Sequence, residues 1–322
     1  MLYLNERSLG AMDCSFQKLV GVIERASQCL HAKKFAQPIK PYLRFGNPNN
    51  RIIAMPAYVG QPFDAAGIKW IASFPGNLER GIPRAHSVVI LNDAATGVPT
   101  AIINTPLLSV LRTAAVSGLV LKLYLEERNP KAVTVGITGW GPIGRWHHRM
   151  AREICGERLV RTVVHDVRAD AFTGEGSLPP GVSVARSWRE AYDAADVFMT
   201  CTVSNAPYID APPKAGSLQL NVSLRDYTAA VFPFVKDAIV VDDWDEVCRE
   251  ATDIETFHNE CGLERAAAVS LPELVAERRM GTFAPEKAVM FNPMGMAVFD
   301  VAIASHLVQL AKEGGAGQVL DG

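Results

Sequence analysis

Gly139, Gly141 and Gly144 form a Gly-x-Gly-x-x-Gly triplet behind the apolar, β-prone run Ala132 to Thr138, and an amphipathic segment with Ile143, Met150 and Ile154 follows. Strand, glycine turn, helix is the order a dinucleotide site requires. Gly139 allows the tight turn, Gly141 lets a pyrophosphate approach the backbone, and Gly144 lets the helix pack closely on the strand. The phosphates would rest on the unpaired N–H groups of the helix N-terminus, with Pro142 and Ile143 lining the turn. A second apolar strand, Val160 to His165, ends at Asp166, placed about 20 residues past the last glycine as the fingerprint demands. A carboxylate there accepts hydrogen bonds from an adenosine ribose and repels a 2′-phosphate, so NAD is expected rather than NADP.

The elements that must position this turn can be read on either side of it. Phe16, Leu19, Val20, Ile23 and Leu30 recur at helical spacing behind Asp13, an expected N-cap. Extended segments follow at Pro41 to Phe45, Ile52 to Val59, Ala66 to Phe74 and Ser87 to Leu91, and a turn at Asp93 to Gly97 leads to Thr100 to Ile103. Short connections favour an antiparallel or mixed sheet. Thr105-Pro106 opens a helix through the apolar run Leu107 to Leu125. Strands then alternate with helices: Asp196 to Thr202, Leu218 to Val222 and Ala238 to Val241, with capping boxes at Ser187-Trp-Arg-Glu190 and Ser270-Leu-Pro-Glu273. After Phe291-Asn-Pro-Met-Gly295 comes an apolar helix through Val298, Val301, Ile303 and Leu307. The expected fold is α/β: a Rossmann-type NAD-binding domain at 116–291, and a mixed-sheet substrate and dimerisation domain at 1–115 completed by 292–322. The Gly314 to Gly317 end is expected to fray.

Composition narrows the function classes. With 322 residues, 48% hydrophobic, 20% charged and a formal charge of −2, the chain reads as an ordinary globular enzyme. Basic residues are scattered, which argues against a nucleic-acid partner. The six cysteines (14, 29, 155, 201, 248, 261) lack a C-x-x-C spacing and read as reduced, mostly buried thiols. Polar residues Asn5, Glu6, Arg7 and Asp13 break up the N-terminus, so neither a signal peptide nor a membrane span is expected, and the reduced thiols lead us to expect a cytoplasmic protein. The adjacent His147 and His148 point to different helix faces; they should pack or meet solvent rather than bind a metal, and no metal site is expected.

The stretches Lys69-Trp-Ile-Ala-Ser-Phe-Pro-Gly-Asn77, Leu91-Asn-Asp-Ala-Ala-Thr-Gly-Val-Pro99, Arg112-Thr-Ala-Ala115, the glycine triplet and Asn221-Val-Ser-Leu-Arg-Asp226 occur in the order found in the ornithine cyclodeaminase and mu-crystallin family, which the chain resembles over nearly its whole length. Ser73 to Asn77, Gly81-Ile-Pro-Arg84-Ala85, Gly141 to Gly144 and Asn221 to Asp226 are most similar to its 2,3-diaminopropionate biosynthesis branch, whose members oxidise N-(2-amino-2-carboxyethyl)-L-glutamate. The resemblance implies a homodimer built on the N-terminal sheet and an active site in a cleft beside bound NAD. By motif position it implies Asp226 as acid/base, Lys69 as catalytic and carboxylate-binding, and Arg44, Arg112, Met55 and Arg84 as substrate contacts. Thr202, Asn221, Val222, Ser223 and Leu224 would flank the cofactor.

The residue chemistry is compatible with those roles, because charge-assisted hydrogen bonds from guanidinium or ammonium groups hold carboxylates well. Ordinary roles stand beside them. An isolated aspartate such as Asp226 often serves a turn or cap. Arg112 in an apolar helix must have a partner, either a ligand carboxylate or a structural ion pair. A strand lysine such as Lys69 commonly faces solvent, as would Arg80 and Arg84 on a loop. Family cyclodeaminases carry a glutamate two residues before the Met-Pro pair to meet the substrate's terminal amine. Here that position is Ile53, ahead of Met55-Pro56, which disfavours ornithine, while Arg80 and Arg84 add positive charge suited to a substrate with several carboxylates. An ornithine or lysine cyclodeaminase, a ketimine reductase or alanine dehydrogenase, and a mu-crystallin-like nucleotide- or ligand-binding protein without turnover are the alternatives.

Overall fold

The computed structural model describes residues 1–174, 177–204 and 206–321. The chain divides into two compact units, Met1–Arg112 with Gly295–Gly322, and Thr113–Met294. The first division falls inside the helix Leu107–Arg128. By length and composition that helix could cross a membrane, but 72% of its most apolar stretch is buried within the protein, as in a core helix.

The first unit is built on a mixed sheet. Its strands in chain order are β1 (Leu2–Asn5), β2 (Phe35–Ala36), β3 (Tyr42–Leu43), β4 (Arg51–Val59), β5 (Ala65–Ser73), β6 (Ala85–Asp93) and β7 (Pro99–Asn104). β4 to β7 form an antiparallel meander, and β1 joins the edge of β7 in parallel. The turn between β6 and β7 is closed by Asp93, whose carboxylate accepts from the Thr96 N–H at 2.8 Å, with Gly97 at φ +75°. In register across the sheet lie Met55, Lys69, Val89 and Ile103, all buried. The helix Ala297–Gly314 packs on this face of β4, β5 and β6.

Two local expectations change. The helix expected behind Asp13 spans Phe16–His31 with Ser15 as N-cap, after β1 and a short helix Glu6–Gly10, and Asp13 instead pairs with Lys18 at 2.7 Å. The C-terminal stretch does not fray at its glycines: Gln318–Val319 pairs antiparallel with β1, and Leu320 N donates to Met1 O at 2.8 Å. Gly317, at φ +94°, makes this possible because a Cβ there would lie 2.5 Å from Leu4.

The second unit carries a parallel sheet of β8 (Val133–Thr138), β9 (Leu159–His165), β10 (Val182–Val184), β11 (Val197–Thr200), β12 (Leu218–Asn221), β13 (Ile239–Val241), β14 (Ala268–Ser270) and β15 (Val289–Asn292), in the order β10-β9-β8-β11-β12-β15-β13-β14. The chain leaves β8 toward β9 on one side and later returns to place β11 on the other. The gap beyond the ends of β8 and β11 is therefore the topological switch point where open α/β sheets bind ligands. Ser270 and Glu273 form a full capping box. At Ser187 only half of one exists, because the Glu190 carboxylate turns to Arg186 N. All six cysteines are free thiols, and Cys14, Cys29, Cys155 and Cys201 are buried.

Candidate active site

The glycine turn sits at the switch point. Gly139 has φ +89°, and a Cβ on it would lie 2.4 Å from Cys201 O; one on Gly144 would lie 2.0 Å from Gly139 O. Both positions exclude any larger residue. A Cβ on Gly141 would meet nothing within 4 Å, so this glycine faces open space. Gly141 is also the N-cap of the helix Pro142–Cys155 and offers no side-chain acceptor to the first-turn N–H groups. Pro142 is exposed and Ile143 half-buried at that helix start. Asp166, just past β9, accepts from Trp140 N at 2.7 Å and from Arg168 N at 2.9 Å, which ties the acid to the turn. A closed first turn, an open second glycine, uncapped N–H groups and an acid held alongside suit a dinucleotide. His147 and His148 are buried: Ile143 O accepts from His147 Nδ1 at 2.8 Å, Ser117 donates to its Nε2 at 3.0 Å, and the His148 ring lies 5.7 Å from Trp140.

Asp226 lies in the same unit and has no exposed surface. Its two carboxylate oxygens each accept a hydroxyl hydrogen bond, one from Thr202 and one from Ser223. The turn that carries it is braced from below. Asn221 Nδ2 donates to Asp253 at 2.9 Å and to Asn292 at 2.8 Å, while Asn221 Oδ1 accepts from Thr200 at 3.0 Å and from Leu224 N at 3.2 Å. The structure thus buries Asn221 as the hub of the turn and gives Leu224 a left-handed φ of +65°; Val222 and Ser223 are half-buried. Asp253, which the sequence reading did not single out, accepts from Asp226 N and Tyr227 N at 3.2 Å. Burial pushes the Asp253 carboxyl up to about 6, against the N–H donors that favour its charged form.

A second polar cluster lies in the first unit. Lys69 Nζ is 2.7 Å from Asp300 Oδ2, and Arg112 Nε donates to Asp300 Oδ1 at 2.9 Å. Lys40, also buried, donates to Gly295 O at 2.8 Å and adds its charge to the same cluster. Met55 flanks Lys69 directly across β4 and β5. Burial, then the Arg112 charge, pulls the Lys69 ammonium down to about 7, with Asp300 acting the other way. Burial alone would raise the Asp300 carboxyl, but Arg112 and Lys69 outweigh it and hold it below its ordinary value. Asp300 therefore bridges two buried cations, and a third, Lys40, lies close enough to act on Lys69.

Arg44 is not in this cluster. It is exposed on the loop after β3, with Nη1 3.4 Å from Pro48 O and its guanidinium 5.3 Å from the Tyr42 ring. Arg84 donates to Ser73 Oγ at 3.3 Å, and Arg80 is exposed. Lys40 and Asp300 were missed in the sequence. Asp300 gave the same signal as Arg112, a lone charge in an apolar helix that must have a partner. Lys40, between Pro38 and Pro41, had no periodicity to reveal its burial.

Fold and site define a two-unit α/β protein with a dinucleotide-type turn, a buried hydroxyl-bound carboxylate and a buried cationic cluster. The chain belongs to the ornithine cyclodeaminase/mu-crystallin family, whose profile matches residues 9–315. It is 32% identical to the N-((2S)-2-amino-2-carboxyethyl)-L-glutamate dehydrogenase of Staphylococcus aureus, over 100% of this chain and 98% of that protein. The Δ1-pyrroline-2-carboxylate reductase of Thermococcus litoralis, solved with NADH and L-proline, has the same fold at a TM-score of 0.88 and 24% identity, covering 99% of this chain and 100% of that one. An archaeal alanine dehydrogenase dimer with bound NAD matches at 0.82 and 23%, over 100% and 99%.

Proposed function

We propose that the chain is an NAD-dependent oxidoreductase acting on amino-acid C–N bonds, and that its substrate is N-(2-amino-2-carboxyethyl)-L-glutamate. With water and NAD the products would be 2,3-diaminopropionate, 2-oxoglutarate and NADH, a precursor step for a siderophore or peptide antibiotic. The observation that carries this reading is the gathering of three buried cations, Lys69 and Arg112 on the two oxygens of Asp300 and Lys40 on the Gly295 carbonyl. A buried cationic cluster is stabilised by an incoming carboxylate, and a substrate with several carboxylates suits it. The full-length relative of S. aureus supports the same choice, and Ile53 opposes a diamine.

NAD, when bound, would supply the two-electron acceptor. Gly141 and the first turn of the Pro142–Cys155 helix would hold its pyrophosphate, and Asp166 its ribose. Lys40, Lys69 and Arg112 would fix the substrate carboxylate and so orient the carbon that bears nitrogen. Asp226 would take a proton from the water that adds to the resulting imine, after which the C–N bond breaks. Because Asp226 has no exposed surface, that proton would pass through the half-buried Thr202 or Ser223 hydroxyl, each of which can accept a proton while donating its own.

A homodimer is part of the proposal. The sheet face opposite Lys69 carries Ile68, Ile90 and Ile102 in one row and Trp70 at 44% exposure, all apolar and only partly covered. A cytoplasmic location fits the free thiols. The test is to incubate the purified protein with NAD and, separately, N-(2-amino-2-carboxyethyl)-L-glutamate, ornithine, lysine and alanine. Net NADH with 2-oxoglutarate from the first is expected. Ammonia and proline from ornithine without net NADH would replace the reading with cyclodeamination, and NADH with pyruvate from alanine would replace it with alanine oxidation.

A further inference from the structure

The short stretch Gly295 to Asp300 touches all three buried cations. Gly295 O accepts from Lys40 Nζ at 2.8 Å. Gly295 has φ +88°, and a Cβ on it would lie 2.7 Å from Arg112 Nη1, so its bareness makes room for the guanidinium. One helical turn later, the two oxygens of Asp300 meet two different cations, Arg112 at 2.9 Å and Lys69 at 2.7 Å. The Asp300 side chain has no exposed surface, so it can act on a ligand only through those partners.

We propose that Gly295 and Asp300 are the positioning residues of the cationic site: one backbone bend and one carboxylate hold Lys40, Lys69 and Arg112 converged, ready for a ligand carboxylate. The inference rests on the reading of this cluster as the substrate's carboxylate site. Like charges packed in a buried space repel, and a lysine among them escapes by losing its proton. Three charged groups face Lys69: Arg112 from the Leu107–Arg128 helix, Asp300 from the Ala297–Gly314 helix, and Lys40 from the loop before β3. Of these only Asp300 favours the ammonium. Both Asp300 oxygens are engaged, one by Lys69 and one by Arg112, while Lys40 turns to the Gly295 carbonyl.

Lys69 is titrated by NMR of 15N-lysine-labelled protein in the unaltered chain, Asp300→Asn, Asp300→Glu and Gly295→Ala, with Lys69→Met to assign the signal. Asp300→Asn is expected to move the Lys69 titration to lower pH, and the alkaline fall of kcat/KM should move with it. Asp300→Glu restores both. Gly295→Ala keeps every charge and is expected to raise KM about 10- to 100-fold, the range of a lost charge-assisted hydrogen bond, with kcat changed by no more than a few-fold. An Asp300→Asn titration that matches the unaltered protein, or a Gly295→Ala variant with unchanged KM, overturns the proposal. Should Asp300→Asn not fold, Gly295→Ala and Asp300→Glu decide it. A Lys69→Met variant with unchanged KM sinks the substrate-site reading instead, a result separate from the titration.

Discussion

The two polar sites are built in opposite ways. Around Asp226 the donors outnumber the charge: two hydroxyls and a braced turn serve one carboxylate, and its nearest partners Ser223 and Thr202 come from neighbouring strand ends. Around Asp300 two cations share one carboxylate with a third beside them, and the four groups come from segments far apart in the chain, at positions 40, 69, 112 and 300. The first arrangement holds one group in place; the second concentrates positive charge in a buried space. A carboxylate held by hydroxyls is suited to moving a proton, and a buried cation cluster to binding an anion.

The contrast is broken most severely at Asp226. Asp226→Asn should keep NAD affinity and lose about 10²- to 10⁴-fold in kcat, the usual worth of general acid/base help, read by steady-state kinetics beside a fluorescence titration of NAD. Near-native turnover would remove Asp226 from its role and leave the turn a structural one.

Asp253 sharpens the same side through stability. Its folded-state value of about 6 lies above the ordinary 3.8, so its protonated form contributes stability that is full below about pH 4 and is lost as pH rises through about 6. That rise corresponds to about 3 kcal/mol. Urea unfolding between pH 4 and 7 should show that slope, and Asp253→Asn should flatten it; an equal slope in both proteins would assign it to another group.

On the cationic side, Lys69→Met should raise KM for the carboxylate substrate by about 10- to 100-fold. In the unaltered protein kcat/KM should fall as pH rises through about 7, because the Lys69 ammonium is needed to bind and is lost there. The smallest effect is expected at the nucleotide turn. Asp166→Ala should relax the preference for NAD over NADP by about tenfold, through one lost ribose contact and one lost repulsion. Unchanged kcat/KM ratios for the two nucleotides would reassign Asp166 to bracing Trp140.

Much of the nucleotide half could be read from the chain, because its signals are local. Gly139 and Gly144 are demanded by backbone atoms within a few residues or on the adjoining strand, and the strand, turn and helix follow one another in order. Asp166 was found by its distance from those glycines. The role of Asn221 was harder to see: a sequence shows a polar residue at a strand end, but not that both ends of its amide are consumed by Asp253, Asn292, Thr200 and Leu224. In the first unit, Lys69 and Arg112 were singled out by motif, while Arg44 was chosen over Lys40, four residues earlier. Nothing in the local pattern separates the exposed arginine from the buried lysine.

The amino-acid sequence by itself determined what short-range sterics and periodicity determine: the glycine turn, the alternation of the parallel sheet, the meander and the membership of a family. Only the tertiary structure decided which charges share a space. That Lys40, Lys69 and Arg112 gather in one place follows from a distant segment, Gly295 and the helix Ala297–Gly314, being laid across the sheet. Coulombic repulsion and desolvation act through space, so the electrostatic character of a buried group depends on neighbours that need not be near it in the chain.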